Sequence, residues 1–170
     1  NAVSSVLLAA GLMLIYIAFR FDFASGLAAV LGLLHDVLIM LSFMVILRGI
    51  IQMNSSFIAA MLTIVGYSIN NTIIIFDRIR ENKKKPACMG LTRAQVVDLS
   101  VKESLGRTLV TTLTTLATIV CLYVLGVSAV REFSLPIIVG ILAGVYSANL
   151  INGYVWALLM DLRSKSKKTK

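Results

Sequence analysis

Apolar residues run along this chain in five long stretches, at about 2–19, 24–47, 57–76, 108–125 and 134–160, with polar residues collected between them. Crossing the hydrocarbon of a bilayer takes roughly 20 apolar residues in a helix. Each stretch meets or approaches that length, and the last exceeds it enough to tilt. Lipid offers the backbone no hydrogen-bond partner, so the runs are expected to be helices. Transmembrane strands would alternate over about ten residues, and these runs are longer and apolar on all sides. The pattern predicts an all-α integral membrane protein with a transmembrane domain over 1–160, a polar loop over 78–107 and a basic tail over 161–170.

The loop carries a pattern of its own. Thr92 and Gln95 have the spacing of a capping box. Val97, Val101 and Leu105 then repeat on one helical face, and Asp98 and Lys102 stand at i,i+4. This predicts a short amphipathic helix on the membrane surface. Lys83-Lys84-Lys85-Pro86 before it reads as a solvated turn close to anionic lipid.

Composition strengthens the membrane reading. Of 170 residues, 58% are hydrophobic and 14% charged, and the mean hydropathy is +0.91. A soluble domain of this length has too much surface to hide that apolar content. A soluble enzyme, a nucleic-acid-binding domain and a disordered tail are thereby excluded. The net charge of +8 is distributed very unevenly. With five spans, Arg20, the loop and the tail share one side and hold 14 basic residues; Arg48 and Arg131 are the 2 on the other. The positive-inside bias places the loop and C-terminus in the cytoplasm and Asn1 outside. Cys88 and Cys121 form no paired motif, and neither a disulfide nor a metal site is expected. The chain does not begin with Met, and its first apolar run has no basic residue before it; both suggest a start partway through a longer protein.

Polar residues inside the apolar runs are the candidates for function, because ionisable groups at membrane depth are costly. The second run carries His35-Asp36. The third holds Thr63, Gly66, Tyr67, Ser68, Asn70, Asn71 and Thr72, with Asp77 at its end. The fourth begins at Arg107 and carries Thr111, Thr115 and Thr118 on one stripe. That stripe either relays protons and water or bonds its own carbonyls. Beside Asp36 and the polar third run it favours a polar path, with Asp36, Asn70, Asn71 and Arg107 facing the bundle or a partner subunit, not lipid. Gly140 and Gly144 form a small-residue packing surface on the fifth run.

Gly66-Tyr67-Ser68-Ile69-Asn70-Asn71-Thr72 followed by Phe76-Asp77-Arg78-Ile79-Arg80-Glu81 resembles the signature of the SecF family, which partners SecD beside the general protein-export translocon. Tyr16 with Arg20-Phe21-Asp22, His35-Asp36-Val37, Arg107-Thr108 with its threonines, and Phe133, Gly140, Gly144, Tyr146 and Ser147 are similar to the family's neighbouring helices, in order. The resemblance implies five helices of a six-helix bundle of the resistance-nodulation-division type, numbers two to six. It implies a multi-pass protein of a prokaryotic cytoplasmic membrane with no cofactor. It also implies the partners SecD, the translocon channel with other accessory subunits, and the preprotein. The implied work is preprotein export assisted by proton-motive force.

One position departs from the family pattern. Family members usually carry Asp, taken as proton-responsive, where this chain has Asn71. Asn is close in shape to a protonated Asp and stays neutral. Either the residue is a substitution, or this member does not couple protons there. If the family mechanism applies, Asn71→Asp restores the proton step; otherwise Asp36 with His35 carries it. A small-molecule exporter and a packing scaffold without proton coupling are the alternatives. An intramembrane protease is disfavoured, because Gly-Tyr-Ser-Ile lacks the glycine after serine that such a site needs.

Overall fold

The computed structural model describes residues 4, 8, 11, 12, 15–17, 19, 21–47 and 55–168, with the backbone alone at 55 and 166–168. Most of the run at 2–19 therefore lies outside the described residues; those of it that are described are helical. Five α-helices follow: α1 Phe23–Ile46, α2 Ser55–Asn82, α3 Arg93–Leu125, α4 Ser128–Ser147 and α5 Gly153–Lys168. A 3₁₀ turn at Pro86–Cys88 precedes α3, and a π-helical segment at Ala148–Asn152 joins α4 to α5. Because that junction stays helical, α4 and α5 act as one span, and among the described residues four helices are long and apolar enough to cross a membrane. No strand occurs among the described residues.

The helices pack by a division of residue size. The buried face of α1 reads Ser25, Ala28, Ala29, Gly32, Asp36, Met40 and Met44, small at one end and large at the other. At the small end the neighbours come close: a Cβ on Gly32 would lie 2.0 Å from the Asn152 side chain. A Cβ on Gly140 would lie 2.2 Å from the Ile64 side chain, so Ile64 of α2 packs directly on the backbone of α4 there. Ile17, Ala28, Val65, Ile75, Val97 and Trp156 build the main apolar core toward the basic end. Met40, Met44, Phe57 and Ile64 form a second cluster toward the other end.

The expected short amphipathic helix is not a separate element. The capping box exists, with Gln95 N donating to Thr92 Oγ1 at 3.3 Å and Thr92 N to Gln95 Oε1 at 2.9 Å. The helix it starts continues to Leu125 without a break. No breaker separates Leu105 from Thr108, and Gly106 is tolerated inside a helix long enough to absorb its cost. Asp98 accepts from the Tyr154 hydroxyl rather than pairing with Lys102. Arg93 holds Asp161 at 2.5 Å, so the start of α3 is tied to α5 instead of floating on the membrane surface.

Candidate functional site

Asp36 is the one fully buried carboxylate among the described residues. Three helices build its surroundings. From α1 itself, His35 Nδ1 lies 3.1 Å from Asp36 Oδ1. From α2, Ser68 Oγ donates a short hydrogen bond to Asp36 Oδ2. From α4, Ser147 Oγ donates to the same oxygen at 2.8 Å. A Cβ on Gly144 would come within 3.6 Å of that oxygen, so the glycine keeps the backbone of α4 near the carboxylate. His35 is about a third exposed and stacks on Tyr146, with ring centroids 6.2 Å apart. The imidazole thus leads from the bundle surface to a carboxylate that has no exposure of its own. Hydroxyl donors compensate the desolvation of a carboxylate because it is acceptor-only when ionised.

A layer of buried amides continues from this cluster. Thr72 accepts from Asn152 Nδ2 at 2.7 Å, across α2 and the π segment. Asn149 donates to its own Val145 carbonyl at 2.8 Å. The wider turn of the π segment carries Ala148, Asn149 and Asn152 as buried residues on one short stretch, and such bulges recur where a helix re-aims functional side chains. Asn71 is buried as well, one residue from Thr72, and its Nδ2 has no partner among the described residues.

The other expected site residues are distributed differently. Asn70 and Arg107 are exposed on the surface of this chain, and so is Thr111, while Thr115 is half-buried. Thr111, Thr114, Thr115 and Thr118 all donate to carbonyls one turn back, at 2.8–3.0 Å. The stripe at 107, 111, 115 and 118 thus lies mostly on the outside of this chain, and the stripe that faces inward lies one residue, or 100°, away. The buried polar stripe is Ser100, Ser104, Thr108 and Thr112. Asn82 donates to Ser100 at 3.0 Å, and Tyr67 donates to Thr112 at 2.9 Å. The signal in the sequence for this face is the regular four-residue repeat of small hydroxyl residues at 100, 104, 108 and 112. Gly66 is half-buried, in contrast to Gly140.

At the basic end the signature residues separate. Asp77, Arg78 and Glu81 meet Glu103 and Arg107 around a groove of about 380 Å³ between α2 and α3. Arg78 bridges Glu81 and Glu103 at 2.7 Å each, and Asn82 adds a bond to Glu103 at 2.8 Å. Arg80 points away into a different cleft.

The sequence model described as "Protein export membrane protein SecD/SecF, C-terminal" matches residues 1–162. The chain belongs to the SecD/SecF C-terminal family. Within that family it is 45% identical over 98% of its length to the protein translocase subunit SecDF of Thermus thermophilus, and 42% identical over its full length to the protein translocase subunit SecF of Alicyclobacillus acidocaldarius. It spans about half of the SecF relative, 54%, and 22% of the SecDF one. The crystal structure of SecDF, a translocon-associated membrane protein from Thermus thermophilus, superposes with a TM-score of 0.85 at 44% identity, covering 96% of this chain and 22% of that one. Family membership and spanning helices together make this a multi-pass protein of the bacterial cytoplasmic membrane.

Proposed function

We propose that the chain is the membrane part of an accessory subunit of the Sec protein-export translocase. In this reading it works with SecD and the translocon channel, and uses proton-motive force to assist the preprotein across the membrane. It contributes five of the six helices of a bundle of the resistance-nodulation-division type. The names of its relatives support the export role. The observation that carries the coupling is the Asp36 cluster, a single buried carboxylate held by α1, α2 and α4 at once.

The chemistry follows from the donor set. The ionised carboxylate accepts from Ser68 and Ser147 and holds the three helices at one point. A proton on Asp36 adds a donor and weakens its oxygens as acceptors, and a proton on Oδ2 takes the place of one of the two serine bonds. Ser147 has one at hand, its Gly144 carbonyl at 3.2 Å. Protonation thereby loosens the junction of α4 with α1, which is the kind of local change a packed bundle amplifies. Asn71 keeps its position neutral, so Asp36 rather than position 71 carries the proton. Ser68 spends its proton on Asp36 and not on His35, which supports a non-enzymatic role.

The exposed polar edge of α2 and α3, with Asn70, Arg107 and Thr111, is the face we assign to SecD. Only 11% of the most apolar stretch of α3 is buried within this chain, so another helix layer has room to cover it. The basic end is assigned to the cytoplasm; a reporter after Lys170 is expected to read cytoplasmic and a tag within 48–55 external.

The coupling is tested by preprotein export with and without a proton gradient, in the complete complex, for the written chain, Asp36→Asn and Asn71→Asp. Gradient dependence in the written chain that Asp36→Asn abolishes supports Asp36. A written chain without gradient dependence that gains it on Asn71→Asp assigns the proton to position 71. Absence of gradient dependence in all three makes the chain a packing scaffold.

A further inference from the structure

We propose that the basic end of the bundle holds a binding site for the headgroup of one anionic phospholipid. A cleft of about 460 Å³ opens there between the start of α1, the end of α2 and the first turn of α5. Its floor is apolar and aromatic: Phe76, Ile79 and Trp156 are buried beneath it. Its rim is cationic, formed by Arg80, Lys83 and Lys84. The two parts lie on one face of α2 because Phe76, Ile79, Arg80 and Lys83 repeat at three- and four-residue spacing. The Lys83 ammonium stands 5.3 Å over the Trp156 ring. That contact holds a positive charge over the buried indole at the floor of the cleft.

An apolar floor under a cationic rim matches an amphiphile, with glycerol and upper acyl carbons below and phosphate above. Basic pockets between helices at a membrane face take anionic lipid headgroups in this way. A free phosphate would use the rim and gain nothing from Phe76 and Trp156. Among the described residues of the lining Asp22 is the single carboxylate, against three cations, so the site keeps an excess of positive charge and selects an anion over a zwitterion. The site is independent of Asp36 and of the export reading.

The test uses the complete subunit in bilayer nanodiscs that contain lipids brominated high on the acyl chain, with Trp156 fluorescence as the readout and Trp156→Phe as the blank. Brominated phosphatidylglycerol is expected to quench Trp156 at an at least roughly fivefold lower mole fraction than brominated phosphatidylcholine, the preference expected of one lysine near a phosphate. Lys83→Gln with Lys84→Gln brings that ratio to near one, and Lys83→Arg with Lys84→Arg keeps it. Lys102→Gln, a charge removed elsewhere on the same end, leaves the ratio unchanged. Equal quenching by the two lipids in the parent overturns the site. So does an equal loss in Lys102→Gln, which would make the effect diffuse attraction. Abolition by millimolar inorganic phosphate would make it a free-anion site, and preference for phosphatidylethanolamine would make Asp22 the selecting group; either outcome overturns the proposal.

Discussion

Two sets of polar side chains sit at membrane depth in this molecule, and the fold treats them in opposite ways. Around Asp36, groups from three helices converge and exclude lipid. Along the outer side of α3, Thr111, Thr114 and Thr118 remain exposed and bond their own carbonyls. The difference lies in the functional groups. A hydroxyl on a helix can satisfy itself one turn back, so its position says little about what faces it. An ionised carboxylate has no donor and no local partner of that kind, so it must recruit donors from other helices. Buried carboxylates therefore report tertiary structure, whereas threonine stripes report only that a helix is present.

Breaking the interior set is expected to have the largest effect. Asp36→Ala strips Ser68 and Ser147 of their acceptor and opens a cavity, costing about 3 kcal/mol; thermal unfolding in detergent measures it. Gly32→Ala is next. Its methyl group would displace Asn152 and break the bond to Thr72, an expected loss of about 2 kcal/mol, visible as a lower unfolding midpoint that Asn152→Ala introduced on the same chain relieves. Tyr67→Phe removes the bond to Thr112 and should cost about 1 kcal/mol, detectable in a double-mutant cycle with Thr112→Val. On the outer side, the pair Thr111→Val and Thr114→Val should stay within about 0.5 kcal/mol of the parent. Gly106→Ala, with nothing within 4 Å of its Cβ, should stabilise by roughly 0.5–1 kcal/mol. A cost at these outer positions equal to that at Asp36 would erase the contrast between the two sets.

Much of the molecule was legible in the amino-acid order alone. Hydrophobic length located the four spans seen among the described residues, because the bilayer thickness is an external ruler. The capping box at Thr92 located the start of α3, because a cap is chemistry within four residues. His35-Asp36 stood out because charge within an apolar run is costly wherever it sits. What failed or stayed open depended on more than one helix. The continuity of α3 through residue 107 was hidden, because a polar segment and an apolar one can share a single helix when α5 and α2 hold the polar part in place.

The choice of stripe on α3 likewise belonged to the partner helix. Periodicity offers both 107–111–115–118 and 100–104–108–112, and only Tyr67 and Asn82 on α2 select the second. The acceptors and donors of Asp36 were also beyond reach. Ser147 lies 111 residues from Asp36, and only the close approach permitted at Gly144 brings the two together. Sequence determined which groups must be satisfied, since that follows from their chemistry. Tertiary structure alone decided which groups satisfy them, since that depends on where distant helices cross.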